Sequence, residues 1–513
     1  MRIFCESKLE INAVDIQNQH LQKYSDTINA KLMNEAKELL EKYWGYLALL
    51  IWIAVAVALD LVRLNPFAID EEAAKGLLLT WTVSDNIVNP IVVFGLPDFR
   101  ALLYIPVGTY WPGSLLAAKI LSLTIAFIAV SLLYKWAKRT SSQETALIAS
   151  ALLLVSPALI TQVDSMSAGP YIIMGFALGV WLDNAYRKNE KYFGGWYFSQ
   201  MLWVAILSTL HPIALAYPLV IAWNWYKNPH ATKKSRHMFV GLFITITFAL
   251  LLRMGWHNFE AFQNPIEFFA TSLQGAIIWS EADISWWPGI IAALLLALVI
   301  MIDLKNISKD VLSQMIIVCL ALGIIMPDSS WAFIGITFLI YRGTHHLIQY
   351  NQSKNKQSTL GQRGVVFAIA FIVCAFFMLQ DKYHVLTIKH AILAPEDELI
   401  QSLMAIAEDD SKPFRIASQW PGRTMLATKR DVYPLPPAID DREEMLEAIQ
   451  SVTHLAFNPY DPKNKALSDA IANLGSETET HGLLKAGAII EVRNHNVKLS
   501  TQQRLDQQDD VKE

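Results

Sequence analysis

The sequence has little charge for its length. Of its 513 residues, 17% are charged and 53% are hydrophobic, and the mean hydropathy is +0.30. A soluble globular chain carries about 25% charged residues. This deficit, together with long apolar runs, indicates a polytopic membrane protein. The formal net charge of −4 is too small to predict binding to nucleic acid.

Cysteine is also scarce. Cys5, Cys319 and Cys374 lie far apart and form no C-x-x-C pair, which excludes a disulfide framework and a cysteine-based zinc site. The first 40 residues are polar and of mixed charge, and they lack the basic-then-apolar pattern of a cleaved signal peptide. The first apolar run is therefore predicted to be a retained signal anchor.

Apolar runs long enough to cross a bilayer recur along the chain, since a spanning helix needs about 20 mainly apolar residues. We predict an all-α polytopic membrane protein of about 11 transmembrane helices, with a small C-terminal extracytoplasmic α/β domain. Two of the runs meet at His211-Pro212, where one long kinked helix is the alternative. The predicted spans are 43–62, 115–134, 145–162, 168–183, 196–210, 212–226, 238–255, 287–303, 311–327, 331–348 and 364–380.

Lysine and arginine concentrate in alternate loops, which the positive-inside rule places in the cytoplasm. This puts the N-terminus in the cytoplasm, and an odd number of spans puts the C-terminus outside. The pattern fits a multi-pass protein of a bacterial inner membrane. The predicted cytoplasmic loops hold Lys135, Lys138, Arg139, Arg187, Lys188, Lys191, Lys227, Lys233, Lys234, Arg236, Lys305, Lys309, Arg342, Lys354, Lys356 and Arg363.

The chain divides into four predicted parts. Residues 1–42 form a cytoplasmic segment, 43–381 the transmembrane part, 382–498 the extracytoplasmic α/β domain and 499–513 a disordered polar tail. Helical and strand patterns alternate within 382–498. Residues 417–437 resemble a strand–turn–strand, in which the Trp420-Pro-Gly turn is expected to be exposed.

Acids gather in the predicted outer loops. The run NPFAIDEEAAKG carries Asp70, Glu71 and Glu72 directly after the first span, and Asp164 lies in the short second outer loop. Asp70 suits the cap of a following helix, with both glutamates favourable in its first turn. Neighbouring helical residues point about 100° apart, so only one of Asp70 and Glu71 can serve as a base, and we choose Asp70.

An ordered set of motifs carries a family resemblance. After the acids come PDFRALLYIPVGTYWPGSLLAAKILSL, a basic turn, a helix ending at Ser156-Pro157 and then Asp164. This order resembles the GT-C glycosyltransferases, in the branch of protein O-mannosyltransferases and the aminoarabinose transferase. The resemblance implies sugar transfer from a polyprenyl-phosphate-linked donor at the outer membrane face. It also implies Asp70 as catalytic base with Glu71 beside it, and Asp164 as the second, acceptor-binding acid.

Such a transfer needs cations near the leaving phosphate and a base near the acceptor hydroxyl. The candidates for the phosphate are Arg253, His211, Arg100, Lys75 and Lys119, the last standing where the family more often has arginine. His211 has an ordinary alternative as a helix-end residue, and Arg253 and Lys119 have one as snorkelling residues. Acids from two outer loops also suit a divalent metal, although no histidine spacing demands one. The predicted partners are the lipid-linked sugar, membrane lipids and an acceptor protein, lipid or glycan.

Two other functions stay open from the sequence. A transporter or flippase of a lipid-linked molecule would have the same apolar spans, although internal repeats and intramembrane charges are its usual marks. A non-catalytic envelope assembly protein would use its C-terminal domain alone. In that case Asp70→Asn would be harmless.

Overall fold

The computed structural model describes most of the chain between residues 69 and 496. The described residues are 69–81, 99–111, 114–187, 193–227, 287–307, 309–323, 329–354, 368–377, 395–408, 413–430, 432–484, 487–493 and 495–496, with the single residues 51, 241 and 379. Residues 57–513 form one compact unit by their contacts. The predicted first span, the span 238–255, the 1–42 segment and the 499–513 tail lie outside these ranges, apart from residues 51 and 241.

The first half of the described chain is helical. Its apolar runs of alanine, leucine, isoleucine and valine satisfy their backbone hydrogen bonds within each helix, as a membrane requires. The helices are α1 Glu71–Trp81, α2 Arg100–Tyr110, α3 Leu115–Thr140, α4 Gln143–Leu154, α5 Pro157–Asp164, α6 Gly169–Arg187, α7 Phe193–Leu210, α8 Ala216–Tyr226, α9 Trp287–Ile307, α10 Val311–Gly323, α11 Ser329–Lys354 and α12 Ala368–Phe377.

Serine caps set several of these boundaries. The hydroxyl of Ser114 accepts the N–H of Ala117 at the start of α3, and Ser142 does the same for α4. Ser156 caps α5, and Pro157 follows in its first turn. The predicted span 145–162 is therefore two helices, α4 and α5, bent by 52° at the Ser-Pro step.

Two described helices, Leu115–Thr140 and Gly289–Ile307, are individually long and apolar enough to cross a membrane. The bent pair α4–α5 gives a third segment of this kind. The chain is a membrane protein. The count of eleven spans and the orientation of the termini stay predictions.

The chain breaks between α7 and α8, where the sequence predicts a boundary at His211-Pro212. His211 has extended backbone, and its Nδ1 accepts the N–H of Ile213 at 3.3 Å. A short 3₁₀ helix, Pro212–Leu215, then leads into α8. Proline has no N–H to continue the ladder of α7, which explains the break.

A buried ion cluster joins α9, α10 and α11. Arg342 lies on α11 and pairs with Asp303 on α9 at 3.1 Å and with Asp310 at 3.2 Å. Trp136 of α3 donates its indole N–H to Asp310 at 2.8 Å. Arg342, which the sequence analysis places in a cytoplasmic loop, is thus a helix residue that holds three helices together.

The C-terminal region forms a mixed five-stranded sheet in the order β2-β1-β3-β5-β4. β1 pairs in parallel with β2 and β3, while β5 is antiparallel to β3 and β4. The elements are α13 Pro395–Ala407, β1 Ile416–Ser418, α14 Pro421–Thr428, β2 Val432–Pro434, α15 Arg442–Ile449, β3 His454–Phe457, α16 Lys465–Ala472, β4 Thr478–Leu484 and β5 Gly487–Val492.

The predicted strand–turn–strand around Trp420 is wrong. The segment folds as strand–helix–strand, because α14 starts at Pro421 and connects the parallel strands β1 and β2. Parallel neighbours need such a crossover. Pro421 and Gly422 are buried rather than exposed. Pro at the first helical position favours a helix start, which the sequence reading passed over.

The two faces of the sheet enter different cores. One face packs against α15 and α16, with Leu455, Phe457 and Ile490 buried in it. The other face shares a single apolar cluster with α13, α14, α1 and α2. That cluster includes Ile416 of the sheet, Ala73 of α1 and Tyr104 of α2, so the outer-loop helices and the C-terminal sheet are stabilised together.

Candidate active site

Asp70 is held by Arg100. Oδ2 of Asp70 lies 3.0 Å from Nη2 of Arg100, and the aspartate side chain is 37% exposed while the arginine side chain is 2% exposed. The backbone carbonyl of Asp70 accepts the N–H of Ala74, so Asp70 stands at the cap position of α1 as the sequence suggested. The buried guanidinium of Arg100 thus holds the half-exposed carboxylate of Asp70 in place.

The same arginine ties the first outer loop to the second. Nη1 of Arg100 donates to the carbonyl of Met166 at 2.8 Å. The backbone N–H of Asp70 donates to the carbonyl of Ser165 at 2.7 Å. Asp70 is therefore fixed at its backbone and at its side chain, both times through the turn that follows α5. Arg100 was predicted to bind the donor phosphate, and the structure places it against the predicted base.

The turn after α5 has an unusual backbone. Met166 has a φ of +57°, in the left-handed region that non-glycine residues rarely adopt. The N–H of Ser167 donates to the carbonyl of Gln162, and that of Met166 to Val163, which is the Schellman ending of a helix. The left-handed backbone of Met166 costs about 1–2 kcal/mol, because its side chain crowds the following carbonyl oxygen. The turn exposes the carbonyls of Ser165 and Met166 to Asp70 and Arg100.

Asp164 is buried at the end of α5 and pairs with Lys119 of α3. Lys119 Nζ donates to Oδ1 at 2.9 Å, and both side chains are less than a tenth exposed. Asp164 directly precedes the turn to which Asp70 is bonded, and each acid has its own cationic partner. They are the two acids that the sequence analysis offers to a divalent metal.

Glu71 points away from Asp70, toward the C-terminal sheet. Its carboxylate accepts the backbone N–H of Gly422 at 2.7 Å and that of Arg423 at 3.0 Å. It therefore caps the N-terminus of α14, where a negative charge is favourable. Burial raises the pKa of the Glu71 carboxyl, against the N–H of Arg423 and the charge of Lys75, which lower it.

Of the remaining predicted phosphate-binding cations, Lys75 and His211 have different partners. Lys75 pairs with Glu72 at 2.6 Å and lies 3.8 Å from Glu71. His211 accepts a backbone N–H at the α7–α8 break. Arg253 lies outside the described residues, so its role in binding the donor phosphate stays a prediction.

A solved enzyme has a similar fold. The oligosaccharyltransferase of Archaeoglobus fulgidus, solved with zinc and sulfate, superposes with a TM-score of 0.50 at 9% sequence identity. The match covers 80% of this chain and 67% of that chain. The chain has the GT-C fold. The predicted resemblance is confirmed at the level of the fold.

Two structures of ArnT from Cupriavidus metallidurans are also similar to this chain. The apo structure aligns with a TM-score of 0.47 at 11% identity, over 86% of this chain and 97% of that chain. The structure bound to undecaprenyl phosphate aligns with a TM-score of 0.45 at 12% identity, over the same shares. No family model matches the sequence, and a search of curated proteins finds no match.

Within this GT-C fold, sequence reasoning missed the backbone partners of the site. The carbonyls of Ser165 and Met166 carry no signal in the side-chain pattern. The capping of α14 by Glu71 spans 351 residues of sequence. The Ser-Met-Ser-Ala-Gly run after Asp164 was the available signal, since small polar residues favour a tight helix ending.

Proposed function

We propose that this chain is a membrane glycosyltransferase that transfers a sugar from a polyprenyl-phosphate-linked donor to an acceptor at the outer face of the membrane. Asp70 is the general base. The GT-C fold supports the reaction class. The single observation that carries the assignment is the half-exposed Asp70 carboxylate, fixed by buried Arg100 and by the turn after α5.

The proposed reaction is an inverting displacement at the anomeric carbon. The acceptor oxygen forms a bond to that carbon while the bond from the carbon to the phosphate oxygen breaks. The bonding pair leaves with the phosphate, and the acceptor proton passes to Asp70. A carboxylate positioned within hydrogen-bond reach contributes about 10²–10⁴-fold to such a step.

Arg100 serves Asp70 in this scheme rather than the donor. It contacts Oδ2, so we assign the acceptor hydroxyl to Oδ1. A rigid carboxylate avoids the entropy cost of ordering the base in the transition state. Glu71, which bonds two backbone N–H groups of α14, receives a positioning role.

The leaving phosphate needs positive charge on the opposite side. We assign the phosphate first to Arg253 and then to Lys119, whose partner Asp164 stands at the shared turn. Asp164 remains the proposed second acid, near the acceptor. The sugar and the acceptor class stay open.

The test is release of free polyprenyl phosphate by the purified full chain in detergent micelles, from a mixed pool of lipid-linked sugars with candidate acceptors. We expect wild type to release it and Asp70→Asn to lose at least 100-fold in rate. Asp70→Glu, which keeps the charge but moves it, should fall between them. Unfolding temperatures confirm that each variant folds.

Two controls separate the base from its surroundings. Glu72→Gln removes a neighbouring acid of α1 and should keep full release. Glu71→Gln should keep measurable release with a lower unfolding temperature. Equal release by wild type and Asp70→Asn would remove Asp70 as the base. Movement of the donor across liposomes by a protein that releases nothing would instead identify a transporter.

A further inference from the structure

Three potential metal ligands meet on one face of the C-terminal sheet. His454 lies on β3, Glu491 on the neighbouring β5 and His481 on the edge strand β4. His454 and Glu491 are directly opposite in the antiparallel β3–β5 pair, so their side chains share a face. One ligand atom from each of the three residues lies within 4.8 Å of the others.

A bulge in β4 positions the second histidine. Thr480 pairs with Ile490 and Gly482 with Ile489, so His481 is the extra residue between them. Bulges re-aim a side chain and occur often beside functional sites. Here Nε2 of His481 lies 2.5 Å from Oε2 of Glu491.

The first histidine is oriented by a neighbouring hydroxyl. Oγ1 of Thr453 donates its hydrogen to the carbonyl of Arg415 at 2.8 Å and accepts the N–H of the same residue at 2.9 Å. It also lies 2.9 Å from Nδ1 of His454, a hydrogen bond that orients the imidazole ring. In the tautomer whose Nδ1–H donates to this hydroxyl, Nε2 carries the lone pair that a metal would use. Metal-binding histidines are held in this way.

The three side chains are buried on one side and exposed to solvent on the other. His454 is buried, and the ring of Phe414 stands 5.8 Å from its ring. The side chains of His481 and Glu491 are 50% and 37% exposed. The three side chains can therefore be reached from solvent on the side of His481 and Glu491.

We propose that His454, His481 and Glu491 form a binding site for a divalent transition metal, zinc above all. Two imidazoles and one carboxylate with an open fourth position suit zinc. In tetrahedral zinc sites the ligand atoms lie about 3.3 Å apart, given Zn–N bonds of 2.0–2.1 Å. The three ligand atoms lie within 4.8 Å of one another in the structure and would move closer together on binding the ion. The ion joins the edge strand β4 to β5 and β3.

A simple surface ion pair between His481 and Glu491 is the competing explanation. Such pairs contribute little and need no third partner. The buried His454 distinguishes the metal site, because it brings a third ligand atom within 4.8 Å of the other two, which an ion pair between His481 and Glu491 does not require. Glu479 and Arg493 form an exposed pair of this kind, 2.6 Å apart.

The experiment counts bound zinc on the full chain in detergent micelles. The protein is stripped with a chelator, incubated with zinc alone and freed of excess metal by gel filtration, and zinc per chain is then measured by mass spectrometry. We expect His481→Ala and Glu491→Gln to bind one zinc fewer than wild type. His495→Ala, a histidine of the same region outside the triad, should match wild type.

Cobalt provides the second measurement. A wild-type chain loaded with Co²⁺ should show the visible absorption of a low-coordinate site, and His481→Ala should lack the part contributed here. Zinc should raise the unfolding temperature of wild type more than that of His481→Ala. Equal zinc counts in wild type, His481→Ala and Glu491→Gln would overturn the proposal, as would no zinc on wild type.

Discussion

At the residue scale, the site depends on charges that are buried only because they are paired. Arg100 and Lys119 are almost fully buried, and each faces a carboxylate from a different segment of the chain. An unpaired buried charge is expensive, whereas a paired one is tolerable. The two ion pairs therefore fix where the first and second outer loops meet.

The Lys119–Asp164 pair gives a stability prediction. Lys119→Met leaves the Asp164 carboxylate buried without its cation and should lower the free energy of unfolding by about 3–5 kcal/mol. The double variant with Asp164→Asn should recover much of that loss. Thermal unfolding in micelles measures both, with exposed Lys135→Ala as the unchanged control. A single variant as stable as wild type would show that the pair does not contribute to stability.

At the element scale, α14 is the contact between the outer loop and the C-terminal sheet. Its first turn carries Gly422 and Arg423, whose N–H groups both meet Glu71. A Cβ added at Gly422 would lie 2.9 Å from Oε1 of Glu71 and 2.9 Å from Cγ of Lys75. Only a glycine at position 422 lets α14 pack this closely against α1.

Gly422→Ala should therefore loosen α14 from α1. We expect a loss of about 1–3 kcal/mol in stability, because the crowding forces the carboxylate to move. The matched control is Gly343→Ala in α11, where the new Cβ meets only Leu339 at 3.9 Å and should be neutral or stabilising. Limited proteolysis at α14 and unfolding temperature report the difference. Equal behaviour of the two variants would contradict the close-contact account.

At the scale of helices and strands, the sequence predicted some elements and missed others. Long apolar runs predicted several of the described helices, such as Leu115–Thr140 and Trp287–Ile307, because that signal is local. The strand β4 was missed, since its residues Thr478–Leu484 are largely polar and lie at an edge. Helix α14 was read as a turn between strands because the group that caps it, Glu71, lies 351 residues away.

For the candidate site, the sequence likewise predicted the residues but not their partners. Asp70, Arg100, Lys119 and Asp164 were all identified from residue type and motif order. Their pairing was not, because which cation faces which acid depends on contacts between α2, α3 and the turn after α5. Charge type is visible in a sequence, but the partner of a buried charge is set by tertiary packing.

At the scale of the whole molecule, the C-terminal sheet and the outer-loop helices share one core. The shared cluster joins Ile69, Leu77 and Tyr104 to Leu403 of α13 and Ile489 of β5. Burial of such surface contributes roughly 25 cal/mol per Å². The sheet therefore does not hang from the membrane part as an independent lobe, and its loss would expose the apolar side of α1.

This shared core makes a prediction about cooperativity. Hydrogen exchange of the full chain in rising denaturant should show α1 and the strands β1 and β3 losing protection together, because each covers the apolar face of the other. The inner helices α9 and α11, joined by Arg342 and Asp303, should stay protected to higher denaturant. Gly422→Ala should lower the first transition and leave the second in place. Loss of protection in the sheet well before α1 would instead show that the C-terminal region unfolds alone, and would then separate its stability from that of the Asp70 site.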